Sequence, residues 1–363
     1  MQGGRFGAGD GLRALAALAV VGFHAAVIAS TAAAGHASGP VWAVASHLGL
    51  GLYVFFVLSG YLIARPFARS LVTGGPGPRL RRYATHRLRR IVPAFWAALL
   101  ITLAVAGAGG AGVLTALLFA GTWPTLPQAW TLDAEMGFYL LLPVVAALAA
   151  LVARRLPSPR ARAVALLCGL VAVAVVSLIA RQAAGQVTDP LARSLPALLF
   201  AFAPGVALAL VEPLVPARTF AWARAAGIAI GIAGVGLCAL AAVHGMAGAV
   251  GGALVAAGAG AIVAGPLVRQ WAGGGTGPVL GSRPLRWLGE RSYSLYLLHF
   301  VVLAQLAPVA HGQLVVLVAL GAPASIAAAA LLYQLVERPF MTRPASAPAP
   351  LPTAAPAPRV GGA

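Results

Sequence analysis

Apolar residues run along this chain in long unbroken blocks, not in the alternation of a half-buried strand or the stripe of a water-facing helix. Short polar stretches rich in arginine, glycine and proline separate them. About 20 apolar residues suffice for a helix to cross a hydrocarbon core about 30 Å thick. Blocks of that kind lie near 12–33, 41–65, 91–110, 134–153, 163–181, 194–211, 225–244, 247–265, 291–309 and 313–335. The pattern predicts an all-α polytopic membrane protein with about ten transmembrane helices. The apolar piece 113–121 is too short to cross and reads as part of an irregular outer loop ending at Trp123 and Pro124.

Composition closes off the soluble alternative. Of the 363 residues 60% are hydrophobic and only 9% charged, against about 25% charged in soluble domains. A net charge of +18 would suggest nucleic acid until the charges are placed. Every basic residue is an arginine. With the N-terminus inside, segments 1–13, 65–90, 154–162, 212–224, 266–291 and 336–363 become cytoplasmic and collect 23 of the 25 arginines, leaving out Arg181 and Arg193. That distribution obeys the positive-inside rule and sets both termini in the cytoplasm. The charge is therefore topology, and no nucleic-acid partner is expected.

Arg5, the apolar run from Leu12 and the small residues Ala32–Ala34 imitate a cleavable signal. Asp10 and His24 sit badly in such a signal, and cleavage would invert the charge bias downstream, so the first helix is expected to stay. Residues 1–340 are expected to form one membrane-embedded domain, and the Pro- and Ala-rich residues 341–363 a disordered cytoplasmic tail. No internal repeat is apparent and no appended soluble domain is expected. Cys168 and Cys238 lie in apolar runs and read as small hydrophobes rather than a disulfide or metal pair; no metal site is expected.

Ionisable groups inside a span are costly and point to function. Arg13 and His24 are eleven residues apart, hence within about 20° around a helix and about 16 Å along it. One stripe would carry a guanidinium at the cytoplasmic mouth and an imidazole near the midplane, a pair that a molecule with an anionic head and a reactive tail could bridge. Arg87 and Arg90, three apart, form a fork suited to phosphate; an inside anchor or lipid-headgroup patch uses the same arginines equally well. In the second span Gly51 and Gly60 permit close helix approach, and Ser59 can bond across an interface. Asp133 reads as a carboxylate that caps the helix and favours its N-terminal dipole, whereas Glu135, further in, can orient an imidazole or a substrate hydroxyl. Tyr293, Tyr296 and His299 recur every three residues as one polar stripe, with His299 about 12 Å into the span. Glu337-Arg338-Pro339 reads as a salt-bridged helix end.

Taken in order, these segments resemble acyltransferase family 3, from Asp10 to Phe340. Arg13 with His24 resembles its Arg-x10-His signature, Phe55-Phe56-Val57-Leu58-Ser59-Gly60 its second-span element, and Arg87-x-x-Arg90 its Arg-x-x-Arg motif. Trp130-Thr131-Leu132 with Glu135, Ser292-Tyr293-Ser294 with Tyr296 and His299, and Glu337-Arg338-Pro339 complete the set. The resemblance implies O-acyl transfer, often of acetyl, from cytoplasmic acyl-CoA to a hydroxyl of a carbohydrate or glycosylated acceptor, such as a cell-envelope glycan or a glycosylated secondary metabolite. Acyl-CoA would be a co-substrate, with no permanently bound cofactor, in a bacterial cytoplasmic membrane; an Ala-, Gly- and Arg-rich chain without lysine suits a GC-rich bacterial genome. His24 is then the implied catalytic residue, with Glu135 a candidate acidic partner, and Arg13, Arg87 and Arg90 are candidates for the CoA phosphates. Ser59, Tyr293, Tyr296 and His299 support them, either tyrosine or a backbone dipole being a candidate for the oxyanion. Many members carry an acid in the second-span element where this chain has Tyr53, and a second Glu where it has Met136. A transporter or acyl-translocating channel would use the same His and Arg but would call for an acidic relay through the spans. Only Glu135 lies even shallowly inside a predicted span.

Overall fold

The computed structural model describes residues 6–32, 39–106, 113–119, 126–184, 189–216, 222–244 and 248–342. The expected loop end at Trp123–Pro124 and the tail beyond 342 lie outside the described residues. Those described are helical, with no strand among them. Ten helices are long and apolar enough to cross a membrane: α1 (Gly9–Ala32), α2 (Gly51–Thr73), α3 (Leu80–Ala106), α4 (Trp130–Ala153), α5 (Pro159–Ala184), α6 (Leu195–Val211), α7 (Ala223–His244), α8 (Ala249–Trp271), α9 (Ser292–Ala310) and α10 (Leu314–Leu332). Large apolar side chains such as Leu140, Val176, Ile232 and Val243 point outward and are exposed. A belt of this kind is what a lipid-facing surface requires and a water-facing one rejects. The chain is a multi-pass membrane protein.

Two boundaries differ from the hydropathy reading. The predicted helix 41–65 is broken: Pro40–Ala45 forms a short helix of its own, a 3-10 turn covers Leu48–Leu50, and α2 then runs on to Thr73. The third span starts at Leu80, well before the predicted 91, because hydropathy registers only the part of a helix that lies in lipid. Arginine is a good helix former, so the polar stretch 80–90 simply continues α3 beyond the apolar layer.

Small residues set the closest packing, as expected where lipid tails remove a hydrophobic drive between helices. A Cβ on Gly60 of α2 would stand 2.4 Å from the Phe202 carbonyl oxygen, and one on Gly205 of α6 would stand 2.0 Å from that of Val57. α7 and α8 meet in the same way, Gly227 facing the Gly265 carbonyl at 2.5 Å. Around these contacts two groups form. α2, α4, α5, α6, α7 and α8 share one apolar core, which Leu12 and Ala16 of α1 also join, whereas α1, α9 and α10 share another, which α3 extends. The first helix thus packs against the last two, and the seam between the groups holds the polar residues.

Two expectations are revised. Asp133 lies in the first turn of α4, where it favours the dipole as expected, but the helix is entered at Ala129 without a side-chain cap, so the capping half of the expectation is dropped. Glu337 is not a salt-bridged end. It is 1% exposed, closes a π-turn over Tyr333–Glu337, and accepts a hydrogen bond from Ser294 Oγ at 2.7 Å. Arg338 instead reaches Gln334 Oε1 at 3.0 Å. Arg181, one of the two arginines off the charge pattern, is buried in α5 and donates to the Ala192 carbonyl at 3.0 Å, which gives it a structural use. Cys238 is buried and Cys168 exposed on the lipid-facing side, both as free thiols.

Candidate active site

A cavity of about 310 Å³ opens in the seam, lined from α1, α2, α3, α4 and α9. Arg13, Arg87 and Arg90 all line it. Arg87 and Arg90 share a face of α3 because three residues return a helix to nearly the same side. Arg13 comes from α1, and both α3 arginines repel it. Its nearest acid is Asp10, 3.4 Å away on its own helix. Neither Arg87 nor Arg90 forms an ion pair among the described residues; the Arg87 guanidinium lies 5.8 Å from the Tyr139 ring centroid. Three arginines against the single carboxylate of Glu135 leave the lining of this hollow net positive, which favours an anion in it.

Glu135 and Ser59 line the same cavity. Ser59 Oγ donates to Glu135 Oε1 at 2.5 Å, and the Tyr139 hydroxyl donates to that same oxygen. Glu135 therefore clamps α2 to α4. Its hydroxyl partners are Ser59 and Tyr139, whereas the hydrogen bonds of His24 go to Val20 and His299. The i,i+4 spacing of Glu135 and Tyr139 was open to sequence reading and is the signal by which Tyr139 could have been found.

His24 does not line the arginine cavity. It sits in an adjoining pocket of about 60 Å³ with Phe23, Gly49, Gln128 and Trp130. Leu52, Thr131 and Tyr296 line both spaces and form the wall between them. The helical stripe through Arg13 and His24 thus leads from one compartment into the next.

The imidazole is held by α9. Its Nδ1 lies 3.0 Å from both the Val20 carbonyl oxygen and His299 Nε2. His299, fully buried, places its Nδ1 3.1 Å from the Leu295 oxygen and 2.8 Å from the Tyr296 oxygen. Two carbonyls demand a proton on that nitrogen, so His299 Nε2 is the bare acceptor of a neutral ring. His24 Nδ1–H then donates to His299 and Val20, and His24 Nε2 keeps its lone pair. Phe23 and Phe300 pack edge-on against the ring at 5.1 and 5.5 Å between centroids. A histidine with one nitrogen pinned and the other bare is arranged as a general base.

The remaining stripe residues are structural in their contacts. The Tyr293 hydroxyl donates to the Ile91 carbonyl at 3.0 Å and binds α9 to α3. The Tyr296 hydroxyl donates to the Gln128 carbonyl and lies 2.5 Å from Thr131 Oγ1. Both protons are committed, so neither tyrosine has one for an oxyanion as the site stands. Gln128, which sequence reading passed over, is 2% exposed and donates through Nε2 to the Leu297 oxygen at 2.8 Å. It sits in a short turn ahead of α4 that no periodicity marks. Among the described residues no group of three or more His, Cys, Asp or Glu side chains could hold a metal ion.

A family model described as an acyltransferase domain matches residues 7–334, almost the whole chain. No curated protein and no solved structure shows a significant match.

Proposed function

Because the chain belongs to acyltransferase family 3, we propose that it moves an acyl group, acetyl being the smallest candidate, from acyl-CoA to a hydroxyl of a carbohydrate or glycosylated acceptor. The arginine-rich face is then cytoplasmic, in accord with the positive-inside rule. One observation carries the reading: a cavity ringed by Arg13, Arg87 and Arg90 shares a wall with the pocket of a histidine whose Nε2 is bare. The guanidiniums suit the phosphates of the donor's nucleotide end. An extended pantetheine arm would carry the thioester past Leu52, Thr131 and Tyr296 toward His24.

The step balances on this chain's own residues. His24 Nε2 takes the proton of the acceptor hydroxyl as its oxygen attacks the thioester carbonyl, and the C–S bond breaks as the new C–O bond forms. The imidazolium then returns its proton to the departing thiolate, leaving an ester and free CoA. His299 Nε2 accepts from His24 Nδ1–H throughout, which stabilises the positive ring. The low-dielectric pocket strengthens each of these contacts.

Acceptor-dependent release of CoA thiol from acetyl-CoA, measured with purified protein and a panel of sugar and glycoside acceptors, tests the proposal. His24→Ala is expected to lower the rate by about 10²–10⁴-fold. If acetyl-CoA fails to bind and Arg13→Ala changes nothing, the acyl-CoA reading is lost and a transporter without chemistry takes its place.

A further inference from the structure

α3 carries more arginine than the central cavity uses. The chain leaves α2 through Gly74-Gly75-Pro76-Gly77-Pro78 and enters α3 at Leu80. This connection is tied down: Gly74 N–H donates to the Ser70 carbonyl at 2.9 Å, and Ser70 Oγ donates to the Gly75 carbonyl at 2.7 Å. The two prolines fix their own φ angles. Between the connection and α3 lies a groove of about 500 Å³, within the usual size of small-ligand sites.

Arg79, Arg82, His86 and Arg87 line the groove, and no acid does. Spacings of three and four keep the first three residues on one side of the helix. Neither Arg79 nor Arg82 pairs with a carboxylate among the described residues. Pro76, Pro78 and Tyr83 supply an apolar wall beside this charge. Most telling is Arg87, which lines both the groove and the central cavity. Arg87 stands between the two spaces, and Arg79 (just ahead of α3) and Arg82 in the groove, Arg87 at the boundary and Arg90 within form one cationic series. From Arg82 to Arg87 the rise is about 8 Å, and from Arg79 to Arg90 about 16 Å. One compact anion cannot engage both ends of such a series. A ligand with two separated phosphate groups and a flat apolar ring matches it.

We propose that the groove is the subsite for the 3′-phosphoadenosine end of the donor, with Arg79 and Arg82 receiving the 3′-phosphate and the pyrophosphate lying against Arg87. The inference rests on the acyl-CoA reading above. Anionic lipid headgroups share the same phosphate–guanidinium chemistry, and the test separates the two sources.

Dissociation constants of CoA, 3′-dephospho-CoA and pantetheine are measured on the full chain in nanodiscs, once in zwitterionic lipid alone and once with anionic lipid added. Wild type is expected to bind CoA about tenfold or more tighter than dephospho-CoA. Arg79→Ala/Arg82→Ala should weaken CoA by a similar factor, erase its advantage over dephospho-CoA and leave pantetheine unchanged. Arg81→Ala/Arg89→Ala, both on α3 but outside the groove, removes the same two charges and should keep the wild-type preference; equal loss there would mean a general field and overturn the subsite. A double variant that still prefers CoA overturns it as well. So does a preference lost only when anionic lipid is present, which assigns the groove to headgroups. Should wild type bind neither CoA nor dephospho-CoA, the donor reading itself fails, a result distinct from failure in the double variant alone.

Discussion

His24 and His299 form the smallest unit with a directed role. Two backbone carbonyls settle the protonated nitrogen of His299, which settles that of His24, so the direction of the lone pair at His24 Nε2 originates in the backbone of α9. His299 acts through His24 and is a positioning residue. Replacing it with Leu leaves His24 Nδ1–H only the Val20 carbonyl on its own helix, removes the acceptor that α9 supplies, and is expected to lower kcat by about 10²-fold, with KM for the donor within about twofold. His299→Gln restores an acceptor oxygen and should recover part of kcat. Steady-state kinetics on both variants checks this, and a loss confined to KM would count against it. Tyr53 packs against Phe56 and Phe200 and not against His24, so the orienting contacts of His24 are the His299 ring and the Val20 carbonyl.

At the scale of helices, the site depends on close approach. α2 supplies Leu52 and Ser59 to the cavity only because Gly60 and Gly205 let its backbone press against α6. A methyl at Gly205 would meet the Val57 carbonyl oxygen at 2.0 Å, so the helices must part. Gly205→Ala is expected to cost about 1–3 kcal/mol, read as a lower unfolding temperature in detergent. An unchanged transition would show that the pair is looser than drawn. A second tie holds the arginine-rich ends: Arg65 grips Glu212 through Nε at 2.7 Å and a terminal nitrogen at 2.6 Å, a bidentate fork, while Tyr61 donates to the same carboxylate at 3.1 Å. The early start of α3 matters as much. Because the helix extends to Leu80, its arginines stand in register along one rigid rod instead of on a loop.

The whole molecule divides into two helix groups with the arginine cavity and the His24 pocket between them. Leu52, Thr131 and Tyr296 form the wall shared by the arginine cavity and the His24 pocket, which the proposed path has to pass. Leu52→Trp would fill the passage without touching an arginine. Donor affinity should stay within about twofold while kcat falls by about 10²-fold, and equal effects on both would refute this path. Orientation is testable on the same scale. Reporter fusions at Arg155 should mark the cytoplasm, and fusions at His244 the opposite side; the reverse result would place the arginine cavity outside the cell.

What could be read from residues in order was membrane physics and local spacing. Ten spans follow from apolar blocks, because every backbone polar group in lipid must be satisfied within its own helix. Shared faces such as Arg87 with Arg90, or Tyr293 with Tyr296 and His299, follow from the helical repeat. Helix ends were harder, since α3 continues into a polar stretch that hydropathy cannot see. Partnership across helices was not legible at all. That His299 meets His24, that Glu135 meets Ser59, and that Glu337 lies buried under Ser294 depend on which helices become neighbours. In lipid that choice is made by shape, through glycines that admit a facing carbonyl, and hydrophobic pattern along a single helix carries no record of it.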